Sequence, residues 1–467
     1  MGPTGKLASF IEATTLESIP QSVVQKAKIL VLNVLGSMLA GSKEKTGKIG
    51  IRLVREAGGA PHSTIVGGGF KSSAIMAALA NGISAHATDQ DDTDWGTLAH
   101  PTVAVLPAVL ALGEHLHASG KKVLEAYILG LEAEGKVGLG VYPMHHEMGF
   151  HSTGTLGHVG ATVGSCKVLG LTASQIETAL GIMGSLVSGI RNNVGSMTKP
   201  LHAGNAAHDG VLAATLARGG FTSSDNALES RYGFARVFGG EKASSERMVA
   251  DLGKPYIIES PGITIKGNPC GTYGSVLVEG LQEMVKEYRF SPDSIESIEL
   301  VLNPAVQEIM HYVHPRDTLE AKYSISFIVA VTLTDGEAGL KQFTDEKTQD
   351  PKVREIISRI SMRHQTQRAQ DVGKPSGVDL STTHINIKDK NGRIYSRVVD
   401  SARGYVNQPL SEKEILDRFR TFAGLVLPSA SIAKSAEMVK SLEELADIAE
   451  LMDVIGFIPP GKIGGNE

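Results

Sequence analysis

Apolar residues recur with a helical period over most of the first half of the chain. Residues 6–40 are predicted to form two helices, the second of which ends at Gly41. The same period predicts further helices over 103–118, 121–137, 153–169, 173–190 and 204–218. A run of small residues from Ser72 onward predicts one more helix, which leads into an acidic segment. The first half of the chain is therefore predicted to be all helical.

The pattern changes near residue 255, where apolar and polar residues begin to alternate. Period-two alternation predicts strands over 256–259, 263–266 and 295–302. The segments 383–388 and 393–399 flank the turn sequence Asp-Lys-Asn-Gly and predict a β-hairpin. Helical spacing predicts helices over 271–288, 319–334 and 351–361, and again from Ser411 onward.

The two patterns together predict a mostly α fold. Residues 1–260 and 405–467 are expected to form a large all-helical domain. Residues 261–404 are expected to form a smaller α+β lid domain that is inserted into it. A chain of 467 residues is long enough for two such units, each with its own core.

Composition narrows the functional classes. Of the residues, 42% are hydrophobic and 20% are charged, which is ordinary for a globular protein. The net charge of -5 and the lack of a basic patch argue against nucleic acid and anionic membranes as partners. Cys166 and Cys270 are the only cysteines, so we expect no disulfide framework and a cytoplasmic location. The N-terminus predicts an amphipathic helix rather than a signal peptide, and no membrane span is expected.

The segment from His86 to Trp95, with His100 close behind it, is the densest cluster of reactive side chains. Its carboxylates belong to Asp89, Asp91, Asp92 and Asp94. Four acids at this spacing repel one another unless cations, hydrogen-bond donors or shifted pKa values compensate. The segment contains neither lysine nor arginine, unlike most solvated charged faces. We therefore interpret it as a functional site rather than as an exposed acidic turn.

Four other segments carry candidate chemistry. The histidines of 142–155 do not have the spacing of a helical metal-ligand pair, so an acid/base or anion-binding role for His151 is favoured over a metal site. Lys199, in 195–207, either extends to solvent or holds a carboxylate or acts as a base of lowered pKa. Lys266 ends a predicted strand, and Cys270 beside it is expected to be a buried apolar residue. The segment 319–327, with Lys322 and Tyr323, is compatible with an ordinary amphipathic helix.

Taken in chain order, these segments resemble the MmgE/PrpD family, which includes 2-methylcitrate dehydratase, cis-aconitate decarboxylase and iminodisuccinate epimerase. The similar segments are 89–93 with 100–101, 149–155, 199–207, 266 with 269–270, 320–324, and 403–404 with 407–410. Each match is weak alone, but six in the same order over nearly the whole chain are specific for the family. They do not specify the reaction.

The resemblance implies a homodimer with a site between the two domains and no metal or organic cofactor. The implied chemistry is removal of a proton next to a carboxylate, or the related decarboxylation, on a small polycarboxylate. Catalytic residues are expected at Asp89, His100, His151 and Lys199. Substrate-binding residues are expected at Thr93, Tyr142, His202 and Lys266.

Two positions depart from the family pattern. Ser275 stands where many members carry a histidine, and Phe327 stands where the decarboxylase branch carries a tyrosine. Both changes remove a proton donor, which a dehydratase or decarboxylase needs more than an epimerase does. We therefore expect epimerisation of iminodisuccinate, with a family dehydratase or decarboxylase as the alternative.

Other classes explain less of the sequence. A Mg²⁺-dependent helical enzyme would use Asp91 and Asp92, but the third aspartate of such a motif is replaced by Trp95. A metal phosphohydrolase would need an adjacent His-Asp pair, which this segment lacks. A non-catalytic helical scaffold would leave the polar segments unexplained.

Overall fold

The computed structural model describes residues 1–365 and 382–456. The helices that precede residue 246 are α1 (Pro3–Ala13), α2 (Gln21–Gly41), α3 (Lys45–Ala57), α4 (Ala74–Ala87), α5 (Thr102–His115), α6 (Gly120–Val141), α7 (Met144–Glu147), α8 (Ser152–Leu169), α9 (Ala173–Leu186), α10 (Thr198–Arg218) and α11 (Phe234–Gly239). They form a bundle in which α10 packs against α4 and α8, while α8 also packs against α5 and α6.

Small residues explain how these helices approach so closely. A Cβ atom added to Gly82 in α4 would lie 2.7 Å from the Cα of Gly204 in α10. A Cβ atom added to Gly130 in α6 would lie 2.8 Å from the carbonyl oxygen of Gly160 in α8. Larger side chains at these crossings would force the helices apart, because protein interiors are close-packed. The glycine-rich composition is therefore a packing requirement of the bundle.

Helix α2 has the length and apolar composition of a membrane span, although no segment of that kind was expected from the sequence. Most of its side chains are buried inside the bundle, against α4 and against the C-terminal helix α18 (Glu412–Ala423). A buried core helix has the same length and composition. Its surroundings are those of a core helix.

The second unit combines helices with a small sheet. Its helices are α12 (Thr272–Tyr288), α13 (Pro304–Ile309), α14 (Thr318–Ala321), α15 (Ile325–Asp335), α16 (Asp345–Thr348) and α17 (Pro351–Ile357). Its strands are β5 (Ile295–Leu302), β6 (Ile360–His364), β7 (Thr383–Asp389) and β8 (Ile394–Val399). They form a sheet in the order β6-β5-β7-β8, in which only the β5–β6 pair is parallel. Helix α12 packs against β8 and against α15, and both helices share one hydrophobic core with the sheet.

Two short strand pairs lie outside this sheet. Strands β1 (Ser63–Ile65) and β2 (Phe70–Ser72) form a hairpin. Strand β3 (Asp92–Asp94) pairs antiparallel with β4 (Ile263–Ile265), although the two are far apart in sequence. This second pair brings the acidic segment beside the start of the α+β unit. The chain then returns to the bundle through α18, α19 (Ser429–Lys440) and α20 (Ala449–Gly456).

The mostly α fold with a smaller α+β region is confirmed, and several element bounds differ from the prediction. Residues 256–259 do not form a strand but run into an irregular turn that contains Pro261. The helix predicted over 319–334 is interrupted at Lys322–Ser324, between α14 and α15. The segment 351–361 begins as a helix and ends in β6, because its last residues pair with β5. The domain boundaries themselves stay predictions, and residues 366–381 and 457–467 lie outside the described residues.

Arg418 of α18 ties the C-terminal helix to the β3–β4 region. Its guanidinium donates hydrogen bonds to the carbonyl oxygens of Gln90 and Lys266, one from each side of the pair. The C-terminal segment therefore closes the structure around the acidic segment.

We predict that Arg418→Ala lowers the free energy of unfolding by about 2 kcal/mol, because it leaves two carbonyl oxygens without their charged donor. Arg420→Ala on the same helix is the control, because Arg420 is exposed and contacts only the exposed Asp417 at 3.2 Å. Urea unfolding of both variants measures the difference. Equal stability of the two variants would contradict the structural role of Arg418.

Candidate active site

A cavity of about 360 Å³ opens between the helical bundle and the α+β unit. A volume of this order suits a small molecule. The bundle contributes the side chains of Thr93, His100, His151, Arg191 and Lys199 to its wall. The α+β unit contributes Thr272, Tyr273, Glu308, His311 and Tyr323. Neither unit alone therefore encloses the cavity.

Asp89 is the centre of a buried ion cluster at the inner end of the cavity. One of its oxygens, Oδ1, accepts hydrogen bonds from Lys199 Nζ at 2.8 Å and Lys266 Nζ at 2.6 Å. The other, Oδ2, accepts one from the Tyr323 hydroxyl at 2.6 Å. Burial alone would raise the pKa of Asp89, but the two lysines hold it well below its usual range. Asp89 is therefore a carboxylate that orients three donors.

Asp91 and His86 extend this cluster behind the cavity wall. Asp91 lies 2.8 Å from Lys266 Nζ and accepts a short hydrogen bond from His86 Nδ1. Because Nδ1 of His86 donates to a carboxylate, its Nε2 is free to accept a hydrogen bond from Lys199 Nζ at 2.7 Å. Lys199 is thus held between an imidazole and a carboxylate. Burial lowers its pKa to about 8, while Asp89 opposes that shift.

His100 has a defined tautomer. Its Nδ1 lies 2.6 Å from the carbonyl oxygen of Asp92, which can only accept, so Nδ1 carries the proton. Nε2 is then left as an acceptor on a ring that lines the cavity. Thr93 lies beside it and shares a hydrogen bond of 2.9 Å with Thr272 across the two units. Burial and the nearby Lys266 keep the pKa of His100 well below its usual value, so in the free protein the ring is neutral.

His151 faces the same space from another side. It precedes α8, and its Nδ1 lies 2.9 Å from Nδ1 of His202 in α10. The centroids of the His100 and His151 rings are 6.5 Å apart. Burial and Lys199 hold the pKa of His151 well below its usual value. The cavity therefore holds two neutral imidazoles close to one buried ammonium group.

Asp92 and Asp94 do not take part in this cluster. Asp92 accepts hydrogen bonds from the Thr102 side chain and backbone, and burial raises its pKa to about 7. Asp94 accepts from the Gly96 amide and the Thr97 hydroxyl at 2.8 and 2.7 Å. The four acids of the segment therefore divide into an ion-paired pair and a pair bound by neutral donors.

Residues that the sequence analysis did not select line the outer part of the cavity. Arg191 is half-buried there and donates to the His146 carbonyl oxygen at 2.9 Å. Glu308 and His311 lie on the opposite unit. Arg191 follows the exposed Ile190 in a segment with no motif of its own, so only the folded structure places it at the cavity.

Two groups of side chains have the spacing of a metal site, His86 with His100 and His151, and His86 with Asp89 and Asp91. In both groups several of the donor atoms already have partners, those of His86 among them. Both nitrogens of His86 and both oxygens of Asp89 contact other side chains, two of which are ammonium groups. A divalent cation would have to displace these ammonium groups from the same oxygens. The donor set therefore fits two lysines better than a metal ion.

The structure brings together six of the eight residues that the sequence selected. Asp89 and Lys266 meet at 2.6 Å behind the wall, and four others line the cavity: Thr93, His100, His151 and Lys199. Tyr142 and His202 are not among the lining residues, so their predicted substrate contacts stay predictions. Tyr323 was noted in the sequence but not selected. Its signal was the polar sequence Lys-Tyr-Ser within an apolar helix, and the helix breaks there.

Known proteins are similar to this chain over most of its length. Residues 5–246 match the model of the MmgE/PrpD N-terminal domain, and residues 269–444 match that of the C-terminal domain. The chain belongs to the MmgE/PrpD family. It is 27% identical to the cis-aconitate decarboxylase of Aspergillus terreus over 92% of this chain and 91% of that protein. It is 26% identical to the mouse and human proteins of the same name, over 91% of this chain and 87% and 88% of theirs.

This member of the MmgE/PrpD family is therefore an enzyme of a family with lyase activity. The matched C-terminal model extends through the whole of α18 and α19, beyond the α+β unit as the sequence analysis bounded it. The structure also shows where the two positions that depart from the family pattern lie. Phe327 packs against Phe343 in the core of the α+β unit, and Ser275 is buried near Gly267. Neither lines the cavity.

We predict that Asp92→Asn stabilises this enzyme more at pH 8 than at pH 5. The pKa of Asp92 is about 7 in the folded state, above its unfolded value, so the folded state loses stability as the pH rises toward 7. Asparagine has no charge to bury, and the gain at pH 8 should exceed that at pH 5 by on the order of 2 kcal/mol.

Urea unfolding at the two pH values measures this gain, with the exposed Asp417→Asn as the control. An equal effect of Asp92→Asn at both pH values would show that Asp92 is not protonated in the folded state.

Proposed function

We propose that this enzyme decarboxylates cis-aconitate or a closely similar small polycarboxylate, using its own lysine, histidine and tyrosine side chains. The observation that carries the proposal is the convergence of Lys199, His100, His151 and Tyr323 on one cavity. The similarity to three cis-aconitate decarboxylases over most of both chains supports the same reaction.

The charges of the site suit a polyanion. The charges of the two lysines and the two ion-paired carboxylates sum to zero. The carboxylates of a bound substrate would therefore meet Lys199 without repulsion from an excess of negative charge in the cluster. A bound carboxylate would also raise the pKa of the neutral imidazoles beside it, because opposite charges stabilise the protonated ring. Histidines that are bases in the free enzyme would thereby become proton donors in the complex.

Decarboxylation at this site requires stabilisation of one electron pair and delivery of one proton. The carbon–carbon bond to the leaving carboxylate breaks, CO₂ departs, and the electron pair passes into the conjugated remainder of the substrate. Lys199, held by Asp89 and His86, is placed to stabilise the charge that develops on a remaining carboxylate. A protonated imidazole then delivers one proton to carbon, and the ring returns to its neutral form.

Tyr323 bears on the choice between decarboxylation and epimerisation. Tyr323 lines the cavity, and its hydroxyl donates to Asp89, so the site keeps a hydroxyl group beside its histidines. The expectation of an epimerase depended on the loss of donors at Ser275 and Phe327, and both lie away from the cavity wall. We therefore place decarboxylation first.

Epimerisation of iminodisuccinate is the second candidate, and one observation favours it. The His100 and His151 rings stand 6.5 Å apart, which leaves room for one carbon between two bases. Epimerisation needs one proton removed and one delivered at the same carbon, on opposite faces.

The homodimer and the cytoplasmic location that we expected from the sequence also stay predictions.

Proton NMR in D₂O distinguishes these reactions, with cis-aconitate, iminodisuccinate and 2-methylcitrate supplied separately. We expect cis-aconitate to lose CO₂ and to gain one deuterium on carbon. Deuterium exchange and stereoisomer interconversion of iminodisuccinate, without CO₂ release from cis-aconitate, would replace decarboxylation by epimerisation. Dehydration of 2-methylcitrate alone would assign the dehydratase reaction.

We predict that Arg191→Ala raises KM by about tenfold with little change in kcat, because a guanidinium in the outer cavity binds a carboxylate remote from the reacting carbon. Arg236→Ala is the control, since Arg236 pairs with the exposed Glu241 at 3.0 Å. Steady-state kinetics on the substrate identified above measure both variants. An unchanged KM would exclude Arg191 from substrate binding.

A further inference from the structure

His151 lines the cavity and contacts a second imidazole, that of His202, which lies behind it. Their Nδ1 atoms lie 2.9 Å apart, and the ring centroids are 5.0 Å apart. Only one proton fits between two nitrogens at this distance, so one ring donates and the other accepts. The tautomer of His151 is therefore set by His202 and not by a carbonyl or carboxylate.

The surroundings hold the His202 ring in place against His151. A Cβ atom at Gly154 would lie 3.2 Å from the Cβ of His202, and one at Gly189 would lie 3.5 Å from its Cγ. The Gly189 carbonyl also accepts the His151 amide at 3.1 Å. Two glycines thus leave space for this imidazole and fix the neighbouring backbone. His202 itself is 9% exposed and does not line the cavity.

The two rings differ in how well they tolerate a positive charge. Burial and Lys199 hold the pKa of His151 well below its usual value, whereas burial, His86 and Lys199 lower that of His202 to about 4. The other titratable groups facing the pair are His100, beside His151, and His158, beside His202. Lys199 is the first charge that disfavours a proton on His151, and it lines the same cavity, whereas for His202 it comes after His86. The charge of Lys199 thus favours the proton on the outer ring.

We propose that His202 is a proton-relay residue for His151, an inference that rests on the proposed acid–base function of the cavity. When His151 Nε2 takes a proton from the cavity, its Nδ1 proton passes to Nδ1 of His202, which becomes the imidazolium. When His151 Nε2 gives a proton to carbon, the Nδ1 proton returns from His202. One proton enters and one leaves His151 in each direction, so the inner ring stays neutral beside Lys199.

Two substitutions test the relay by kinetics. His202→Phe keeps a ring but carries no proton, and His202→Gln keeps a hydrogen bond to His151 but does not titrate. We expect both to lower kcat roughly 100-fold with a small change in KM, and to shift the pH dependence of kcat/KM. The control is His115→Phe, the same change in a stacked His62–His115 pair, with centroids 4.0 Å apart, outside the cavity wall.

Wild-type kcat in His202→Phe would overturn the proposal. Wild-type kcat in His202→Gln would also overturn it, because the residue would then only position His151. Thermal unfolding of both variants establishes that they are folded before kinetics are compared.

A measurement without substrate separates the relay from the proposed reaction. In ¹⁵N NMR of the histidine-labelled enzyme, with resonances assigned from the variants, acidification should protonate His202 before His151. Protonation of His151 first would overturn the relay. If the enzyme turns over none of the three polycarboxylates, the proposed function fails, and the order of protonation still decides the relay.

Discussion

Two buried lysines and two buried carboxylates balance one another where the halves of this protein meet. Lys266 is fully buried and contacts Asp89 and Asp91 at 2.6 and 2.8 Å, and Lys199 contacts Asp89 at 2.8 Å. An isolated charge in such surroundings is very unfavourable, so each of the four groups depends on the others for its ionised form. The remaining features of the site are arranged around this neutral cluster.

The cluster also explains why the two units meet where they do. Lys266 follows β4 of the connecting segment, Lys199 lies in the first turn of α10, and Asp89 follows α4. The β3–β4 pair and the Arg418 hydrogen bonds hold these segments together from both sides. A shift of either unit would separate these opposite charges. The same contacts that complete the active site therefore fix the interface between the units.

Neutral histidines beside a fixed ammonium group give the cavity its chemical character. Burial lowers the pKa values of His100 and His151, and the ammonium groups of Lys266 and Lys199 lower them further. The rings are thus available as bases, and the polyanion that we propose as substrate would raise their pKa values. His100 has its tautomer fixed by a carbonyl, whereas His151 shares a proton with another imidazole. The proton on His100 is therefore fixed at Nδ1, whereas the proton between His151 and His202 can lie on either ring.

The sequence by itself determined the helical bundle, the change to an α+β unit and the segments that carry the site. Period-3.6 and period-2 patterns are local, so they are readable without the fold, and a lone lysine among small residues marked Lys199. Only the tertiary structure decided which acids meet which lysines. Asp89 and Asp92 look alike in sequence, yet one contacts Lys266, 177 residues away, and the other contacts Thr102. Tyr323 and Arg191 reached the cavity through a helix break and a loop, which no periodicity records, because long-range packing alone sets the positions of such side chains.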